Sequence, residues 1–299
     1  AVEDLMATYG PRYPKGQEYL RRLDRIGADG NDAALAQLRR EALLANPLLD
    51  FDKVLVVKRK SLRVSAAAKI KKMQLPNVPG VDLGFPSNHE CNSSLPREGY
   101  DNEIALLSLA HPRAKLATVY RPEAQVYVGE TDLHWDGERL LFTQSGRDNW
   151  RIWEMRTDGS GLRQVSRAPG DVDCFDACYL PDGRIVFGST APWQAVPCWH
   201  GKKIVTSLYT MNADGSGMRQ VCFDQDHDFH PAILNNGQVL FHRWDYTGIN
   251  HVFLRELMTM NPDGTNQRAV YGINSWYPNS LYFPRPLPGP SESSISGSW

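Results

Sequence analysis

The densest group of side chains that could take part in chemistry lies in Asp224–Pro231, which reads DQDHDFHP. Carboxylates and imidazoles bind metal ions, and imidazoles also exchange protons near neutral pH. If the segment is extended, alternation sends Asp226, Asp228 and His230 to one side and His227 to the other. The same residue types also hydrogen-bond backbone groups between strands. Two interpretations therefore stay open, a binding site or a structural tie between strands.

A second group lies in the loop Thr190–Thr206, where Cys198 and His200 are two positions apart. A thiolate and an imidazole at this spacing can ligate one zinc ion, and His227 is the candidate for a further ligand. The alternative is a buried thiol, or a disulfide to a cysteine such as Cys178 in an oxidising compartment. The chain has five cysteines, an odd number, so at least one is unpaired within it.

Repeated turns indicate which elements must position these side chains. Three segments combine an apolar strand, an Asp-Gly turn and a polar return strand: IWEMRTDGSGLRQV (Ile152–Val165), LYTMNADGSGMRQV (Leu208–Val221) and LMTMNPDGTNQRAV (Leu257–Val270). A second unit, with a turn followed by a β-branched and aromatic strand, alternates with the first: LHWDGERLLFT (Leu133–Thr143), YLPDGRIVFGST (Tyr179–Thr190) and ILNNGQVLFHRW (Ile233–Trp244). Two such hairpins in every unit of about 50 residues predict four strands per unit, which is the period of a β-propeller blade.

The seam between two predicted blades carries polar residues twice, because Asp173 and Asp176 occupy the same place before one blade as the Asp/His segment does before the next. First strands of propeller blades begin at the mouth of the axial channel, where propellers commonly bind ligands. We therefore predict that Asp173, Asp176, Asp226, Asp228 and His230 lie around one channel mouth and hold a ligand. Equivalent positions in repeats also recur because the fold needs them, and the residues alone do not separate the two explanations.

The N-terminal 46 residues differ from the rest and predict a helical arm. Gly16–Ile26 and Asp32–Ala45 have helical spacing, with Asn31 or Asp32 as the N-cap of the second helix and Pro47 ending it. The apolar stripes of the two helices are Leu20, Leu23 and Ile26 in the first and Leu35, Leu38 and Leu43 in the second.

Residues 47–289 are predicted to form an all-β propeller of about four to five visible blades, and residues 290–299 a disordered tail. A degenerate blade lies upstream of the clear ones, with Leu48–Lys60 as its inner strand and Glu103–Tyr120 as its outer hairpin. The basic insertion Ser61–Tyr100 between them reads as a solvated loop. If the propeller stays open, its exposed strand edges favour association with another chain.

Three segments together resemble one family, the middle propeller domain of the hydrazine synthase alpha subunit: Pro181–Thr190, Leu208–Thr247 and Met260–Gly289. The turn units also resemble the periplasmic propeller of the Tol system, one of the WD40-like repeat proteins. The resemblance implies an exported, periplasmic or extracellular protein, and the start at Ala1 fits removal of a signal peptide or of an N-terminal tag. In that family c-type haems are held by Cys-x-x-Cys-His motifs, and this chain has none. The family's zinc has Cys, His and Asp ligands, which keeps zinc as the one candidate cofactor.

Charge and hydropathy exclude two classes of partner. The net charge of −1 gives no field that would attract nucleic acid, and no apolar run approaches the roughly 20 residues that span a bilayer. Two functions remain. The first is an exported binding or scaffold module that holds a protein partner or small ligand at the channel mouth. The second is a zinc-dependent or redox enzyme component with a Cys/His/Asp metal site. The lack of a complete catalytic set favours the first.

Overall fold

A computed structural model of the chain describes residues 1–29, 31–62, 83–86, 90–109, 115–246, 255–273, 281–287 and 295–298. Much of the predicted basic insertion, residues 63–82 and 87–89, lies outside the described residues. The chain forms two compact units, one made of Ala1–Val56 with Ala105–Ala117 and the other of Val57–Ile104 with Thr118–Trp299. None of the helices in the described ranges is long and apolar enough to cross a membrane.

The first unit is built on three helices, namely α1 (Val2–Tyr9), α2 (Gly16–Asp29) and α3 (Asp32–Leu44). The predicted N-cap is confirmed, since the Asn31 side chain accepts a hydrogen bond from the Ala34 N–H at 3.0 Å. The buried cluster of this unit consists of Leu5, Tyr13, Tyr19, Leu38 and Ala42.

The predicted apolar stripes are only partly correct. Leu38 is buried, but Leu23, Leu35 and Leu43 are each more than 40% exposed. Tyr13 and Tyr19 fill the space between the helices instead, with ring centroids 5.9 Å apart. Large aromatic side chains bury more apolar area per residue than leucine. The helical spacing of the leucines therefore did not identify the residues that form this core.

The residues that the structure describes include seventeen strands, in chain order: β1 (Lys53–Lys58), β2 (Glu103–Ser108), β3 (Ala117–Tyr120), β4 (Val128–Leu133), β5 (Arg139–Ser145), β6 (Trp150–Arg156), β7 (Arg163–Gln164), β8 (Cys174–Tyr179), β9 (Ile185–Ser189), β10 (Ser207–Met211), β11 (Arg219–Gln220), β12 (Asp228–Ile233), β13 (Val239–Trp244), β14 (Arg255–Met260), β15 (Arg268–Tyr271), β16 (Tyr282–Pro286) and β17 (Ile295–Ser298). They form antiparallel sheets with the orders β1-β2-β3, β4-β5-β6-β7, β8-β9-β10-β11, β12-β13-β14-β15 and β16-β17. Three of these are the four-stranded blades that the repeats predict, so the all-β propeller fold is confirmed. Part of the expected C-terminal tail is strand β17, paired with β16.

The blade core lies between successive sheets. One buried cluster joins Leu141 and Ile152 of the first complete blade to Phe187 and Tyr209 of the second. Alternate residues of each strand face the neighbouring blade, so a single sheet buries both of its faces only by stacking against two others.

The repeated Asp-Gly turns work as their sequence indicates. The Oδ1 atoms of Asp158, Asp214 and Asp263 each accept a hydrogen bond from the N–H two residues later, at 2.9, 2.9 and 3.0 Å. The turns also contact the preceding blade, because a Cβ added at Gly215 would overlap the carbonyl oxygen of Val165. The glycine is therefore required for both its positive φ of 84° and its lack of a side chain.

Candidate functional site

The first strands β4, β8, β12 and β16 share an irregularity at the same place. Each ladder to the neighbouring strand shifts register there, as at a β-bulge. The bulge residues are Glu130, Asp176, His230 and Phe283, with φ of 52°, 53°, 54° and 47°. A left-handed conformation costs a non-glycine residue about 1–2 kcal/mol. Four blades keep this strain at one position, which marks the position as a candidate site.

The bulge side chains converge because the first strands contact one another in succession. His230 is central to the group. Its Nδ1 atom lies 2.9 Å from Oδ2 of Asp176, and its ring centroid is 4.0 Å from that of Phe283. Burial and, next in size, the charge of the neighbouring Asp176 carboxylate raise the pKa of Glu130.

The Asp176–His230 pair is buried, with side-chain exposures of 6% and 4%. Burial lowers the pKa of His230 well below its usual value, and the cations Arg255 and Arg285 add to the effect. The imidazole is therefore neutral, and its Nδ1–H donates to the Asp176 carboxylate. Burial raises the pKa of Asp176 to about 6. At neutral pH the pair is thus a carboxylate accepting a hydrogen bond from an uncharged ring.

On the other side of Asp176, Glu130 is held by neutral and cationic neighbours. Its Oε1 accepts hydrogen bonds from Asn92 Nδ2 at 2.7 Å and from the Tyr127 hydroxyl at 3.3 Å. Arg59 donates to the same hydroxyl at 2.6 Å. The second carboxylate oxygen of Glu130, Oε2, is buried and has no hydrogen-bond partner within the described part of the chain. Burial raises the pKa of Glu130 to about 7.

His242 on β13 is the second buried imidazole of the group, with its ring centroid 5.8 Å from that of His230. It has no exposed surface, and neither ring nitrogen has a hydrogen-bond partner among the residues that the structure describes. Burial lowers its pKa well below the usual value, so the ring is neutral. A buried neutral imidazole left with one free donor and one free acceptor calls for water or a bound molecule.

A cavity of about 240 Å³ lies where the first strands end. Each of four blades contributes the residue two positions after its bulge, namely Asp132, Cys178, Ala232 and Arg285, and Trp135 stands at the rim with 60% of its surface exposed. Tyr179 N–H donates to Asp132 at 2.9 Å, and burial raises the pKa of Asp132 to about 6. The cavity thus offers a carboxylate, a guanidinium and an aromatic ring.

Of the residues predicted to lie at one channel mouth, the structure brings Asp176 and His230 together. The carboxylates of the other three contact other groups. Asp173 accepts from Trp150 N–H at 2.9 Å, Asp226 from Tyr246 N–H at 2.9 Å, and Asp228 from Arg243 at 2.9 Å. These hydrogen bonds link separate segments of the chain, as expected if the three aspartates act as structural ties between strands.

The three candidate zinc ligands have different surroundings. His227 is buried, its Nδ1 accepts from Thr206 N–H at 3.1 Å and its ring stacks on Trp244. His200 is exposed beside a short 3₁₀ turn, Pro197–Trp199, and the Cys198 side chain lies outside the described residues. Among the described residues no group of three His, Cys, Asp or Glu side chains is placed to hold a metal ion.

Sequence reasoning did not select several residues of this site: Glu130, Asp132, His242, Arg255 and Arg285. A signal existed for two of them. Aligning VGETDL of β4 with CFDACY of β8 puts Glu130 level with Asp176 and Asp132 level with Cys178. Nothing local distinguishes His242, whose strand reads as an ordinary inner strand.

Comparison with known proteins supports the fold. No family profile matches the chain, and no curated protein matches it. Among solved structures it is similar to hydrazine synthase of Kuenenia stuttgartiensis, at 16% identity and a TM-score of 0.55 over 77% of this chain and 33% of that one. A putative TolB from Agrobacterium tumefaciens matches at 17% identity and a TM-score of 0.46 over 57% of each chain. An oligogalacturonate lyase from Vibrio parahaemolyticus matches at 12% identity and a TM-score of 0.48, over 80% of this chain and 57% of that one.

At such low identities a structural match supports only the fold. The fold assignment rests on the match to hydrazine synthase, at a TM-score of 0.55. Together with the sheet order it defines this chain as a β-propeller protein. The chain spans about a third of that synthase chain and 57% of the TolB chain.

Proposed function

We propose that this protein is a binding module that holds a small polar ligand in the cavity at the ends of its first strands. The observation that carries the proposal is the set of strained bulges, each of which lies two residues before a residue of the cavity lining in four successive blades. Two of these side chains form the buried Asp176–His230 pair. Strain of this kind is kept where the surrounding structure uses it to aim a side chain.

Unsatisfied polar atoms support a ligand rather than a purely structural network. His242 and Glu130 Oε2 are buried and have no hydrogen-bond partner within the described ranges. A buried polar group in that state costs about 1–3 kcal/mol, which a polar molecule that reaches it recovers. Neither residue is part of the cavity lining itself. Both groups belong to the cluster around His230.

Binding rather than covalent catalysis fits the thiols. Burial raises the pKa of Cys174 to about 11 and that of Cys178 well above its usual value, so both stay protonated at neutral pH. A protonated, buried thiol is a poor nucleophile. The finer proposals, that the protein is exported and is a relative of the hydrazine synthase middle domain, are supported by the sequence segments that resemble that family. Association with a partner through exposed sheet edges stays a prediction.

The proposal is tested by ligand-induced thermal stabilisation of the full chain. L-leucine, succinate, putrescine and D-glucose serve as probes of four chemical classes, each followed by calorimetric titration where the melting temperature rises. We expect at least one class to bind and to bind about tenfold more weakly to Asp176→Asn and His230→Gln. Asp148→Asn, in the exposed β5–β6 turn, is the matched control. Absence of binding by all four classes, or binding that ignores Asp176 and His230, would overturn the proposal.

A further inference from the structure

The turn glycines of successive blades contact one position of the blade before. A Cβ added at Gly159, Gly215 or Gly264 would overlap the main-chain carbonyl oxygen of a valine at the end of the preceding blade's last strand. These valines are Val119 in β3, Val165 after β7 and Val221 after β11. The same contact between neighbouring blades therefore occurs three times, with a glycine turn lying on a valine carbonyl.

Val270 is the equivalent valine of the last four-stranded blade. In the two blades before it, this valine and the next residue both donate their N–H groups to one carbonyl oxygen, that of Ile152 or of Leu208. The last blade shifts register at the same place. There Leu257 pairs with Tyr271 and the next pair is formed by Ala269, so that Val270 is the extra residue of the bulge. The local backbone is thus the same, and the same contact fits it.

Val270 is nevertheless exposed. The exposed fraction is 0% for Val165 and 2% for Val221, but 44% for Val270. The next residue follows the same pattern, since it is buried in the two earlier blades and is 37% exposed as Tyr271. Ile273 is 51% exposed, and we call Val270, Tyr271 and Ile273 the open-blade surface. Residues 265–299 contain no further Asp-Gly pair that could cover it.

An arginine two residues before the valine faces the turn of the next blade. Arg163 Nη2 donates to the main-chain carbonyl of Ala213 in that turn at 2.9 Å. One blade further on, hydrogen bonds within its own turn lower the pKa of Asp263, and the charge of Arg219 adds to this effect. Arg268 is the equivalent residue of the last blade and is exposed. A turn that carries an aspartate therefore complements the open-blade surface in charge as well as in shape.

We propose that the open-blade surface binds a β-hairpin with an Asp-Gly turn that is presented by a different polypeptide chain. The turn glycine lies on the Val270 carbonyl, as Gly264 lies on that of Val221, and the turn aspartate lies beside Arg268. In a second copy of this chain the three turns of this kind already contact its own blades, so they are not available to a neighbour. The inference gives the exposed sheet edge a specific partner and does not depend on the ligand cavity.

The test is calorimetric titration of the full chain with a cyclic peptide that carries the Leu208–Val221 sequence, LYTMNADGSGMRQV, closed by a disulfide between two added cysteines. Closure is needed because an isolated two-stranded hairpin is only marginally stable in water. We expect the peptide to bind, and its Gly215→Ala form to bind at least about tenfold more weakly, because the added methyl group meets the Val270 carbonyl. The Gly217→Ala form is the matched control. Its φ is also positive, at 65°, but the added Cβ would contact only Asn212 of the same hairpin, so most of the affinity should remain.

Variants of the protein locate the bound peptide. Val270→Asp should weaken binding at least about tenfold, because it places a carboxylate in an apolar contact. Arg268→Gln should weaken it about twofold to fivefold, and Asp214→Asn in the peptide should then cause no further loss, since both changes remove the same ion pair. Leu23→Asp and Arg147→Gln, at exposed positions outside the open-blade surface, are the matched controls. Circular dichroism and the melting temperature of each variant establish that it is folded.

Three results would overturn the proposal. The first is that the peptide does not bind the parent protein, and the second is that Val270→Asp leaves its affinity unchanged. The third is a dimer of the full chain in analytical ultracentrifugation that Val270→Asp dissociates, because it would assign the open-blade surface to a second copy. The ligand cavity stands or fails separately, since no residue of the open-blade surface belongs to its lining.

Discussion

Asp176 and His230 are 54 residues apart in the chain, yet Nδ1 of His230 lies 2.9 Å from Oδ2 of Asp176. They occupy the same bulge position in neighbouring blades, with φ of 53° and 54°. The repeat that places one residue on the axis therefore places the other beside it. A carboxylate and an imidazole at equivalent positions meet because the blades are rotated copies of one unit.

The hydrogen bond of this pair predicts a difference between two substitutions of Asp176. In Asp176→Ala the buried Nδ1–H of His230 loses its acceptor, which should lower the free energy of unfolding by about 2 kcal/mol. In Asp176→Asn the side-chain amide oxygen still accepts, so the loss should be below about 1 kcal/mol. Urea denaturation measures both. Equal losses in the two variants would show that the hydrogen bond contributes nothing to stability.

Glu130 predicts a pH dependence of stability. Burial raises its pKa to about 7 from 4.5, so the folded protein holds this proton more tightly than the unfolded chain does. The protonated Glu130 side chain therefore stabilises the folded protein fully below its unfolded pKa of 4.5, and this stabilisation is lost as the pH rises through about 7. Glu130→Gln has no proton to lose. Its stability relative to the parent protein should therefore rise between about pH 4 and about pH 8, by up to about 3 kcal/mol.

Urea denaturation of both proteins across this pH range gives the difference. Glu123→Gln, at an exposed position, is the control and should track the parent protein at every pH. A Glu130→Gln difference that stays constant with pH would contradict the prediction, because it would place the Glu130 pKa at its unfolded value.

The turn glycines predict a matched pair of substitutions. Gly215 and Gly183 have nearly the same φ, 84° and 85°, but only Gly215 faces a backbone carbonyl, that of Val165 in the preceding blade. Gly183→Ala should cost about 1–2 kcal/mol from the left-handed conformation alone. Gly215→Ala adds the overlap with Val165 and should cost at least about 1 kcal/mol more. Thermal or urea unfolding of the two variants measures the two losses of stability. Equal losses would contradict the prediction, because they would show that the contact between Gly215 and Val165 adds no cost.

Zinc binding at Cys198, His200 and His227 is the less favoured of the two hypotheses from the sequence. His227 already accepts the Thr206 N–H through Nδ1, which leaves Nε2 as its metal-binding atom. We expect purified protein to contain less than stoichiometric zinc by elemental analysis, and chelation to leave its melting temperature unchanged. Stoichiometric zinc that disappears in Cys198→Ser would reverse this expectation and restore the metal-site hypothesis.

The candidate site was only partly accessible to sequence reasoning. Asp176 and His230 were selected because they repeat at blade spacing, and the structure brings them together. Asp173, Asp226 and Asp228 were selected by the same argument, but their carboxylates bind Trp150, Tyr246 and Arg243. Asp173 and Asp226 precede their strands and Asp228 is the first residue of β12, whereas Asp176 and His230 lie at the bulges. Residue type does not report where in a strand the bulge falls, and the bulge decides which side chains are brought together.

The amino-acid sequence by itself determined the repeated turns, the four-strand blades and hence the propeller, because Asp-Gly chemistry and strand alternation are local and recur at a constant period. Only the tertiary structure decided the site. His242 lies beside His230, and the charges of Arg255 and Arg285 act on it, although nothing in their own strands marks these residues. The left-handed bulges are visible only in the backbone. Burial then makes His230 and His242 neutral and raises the pKa of Glu130, because desolvation depends on neighbours that are distant in the chain.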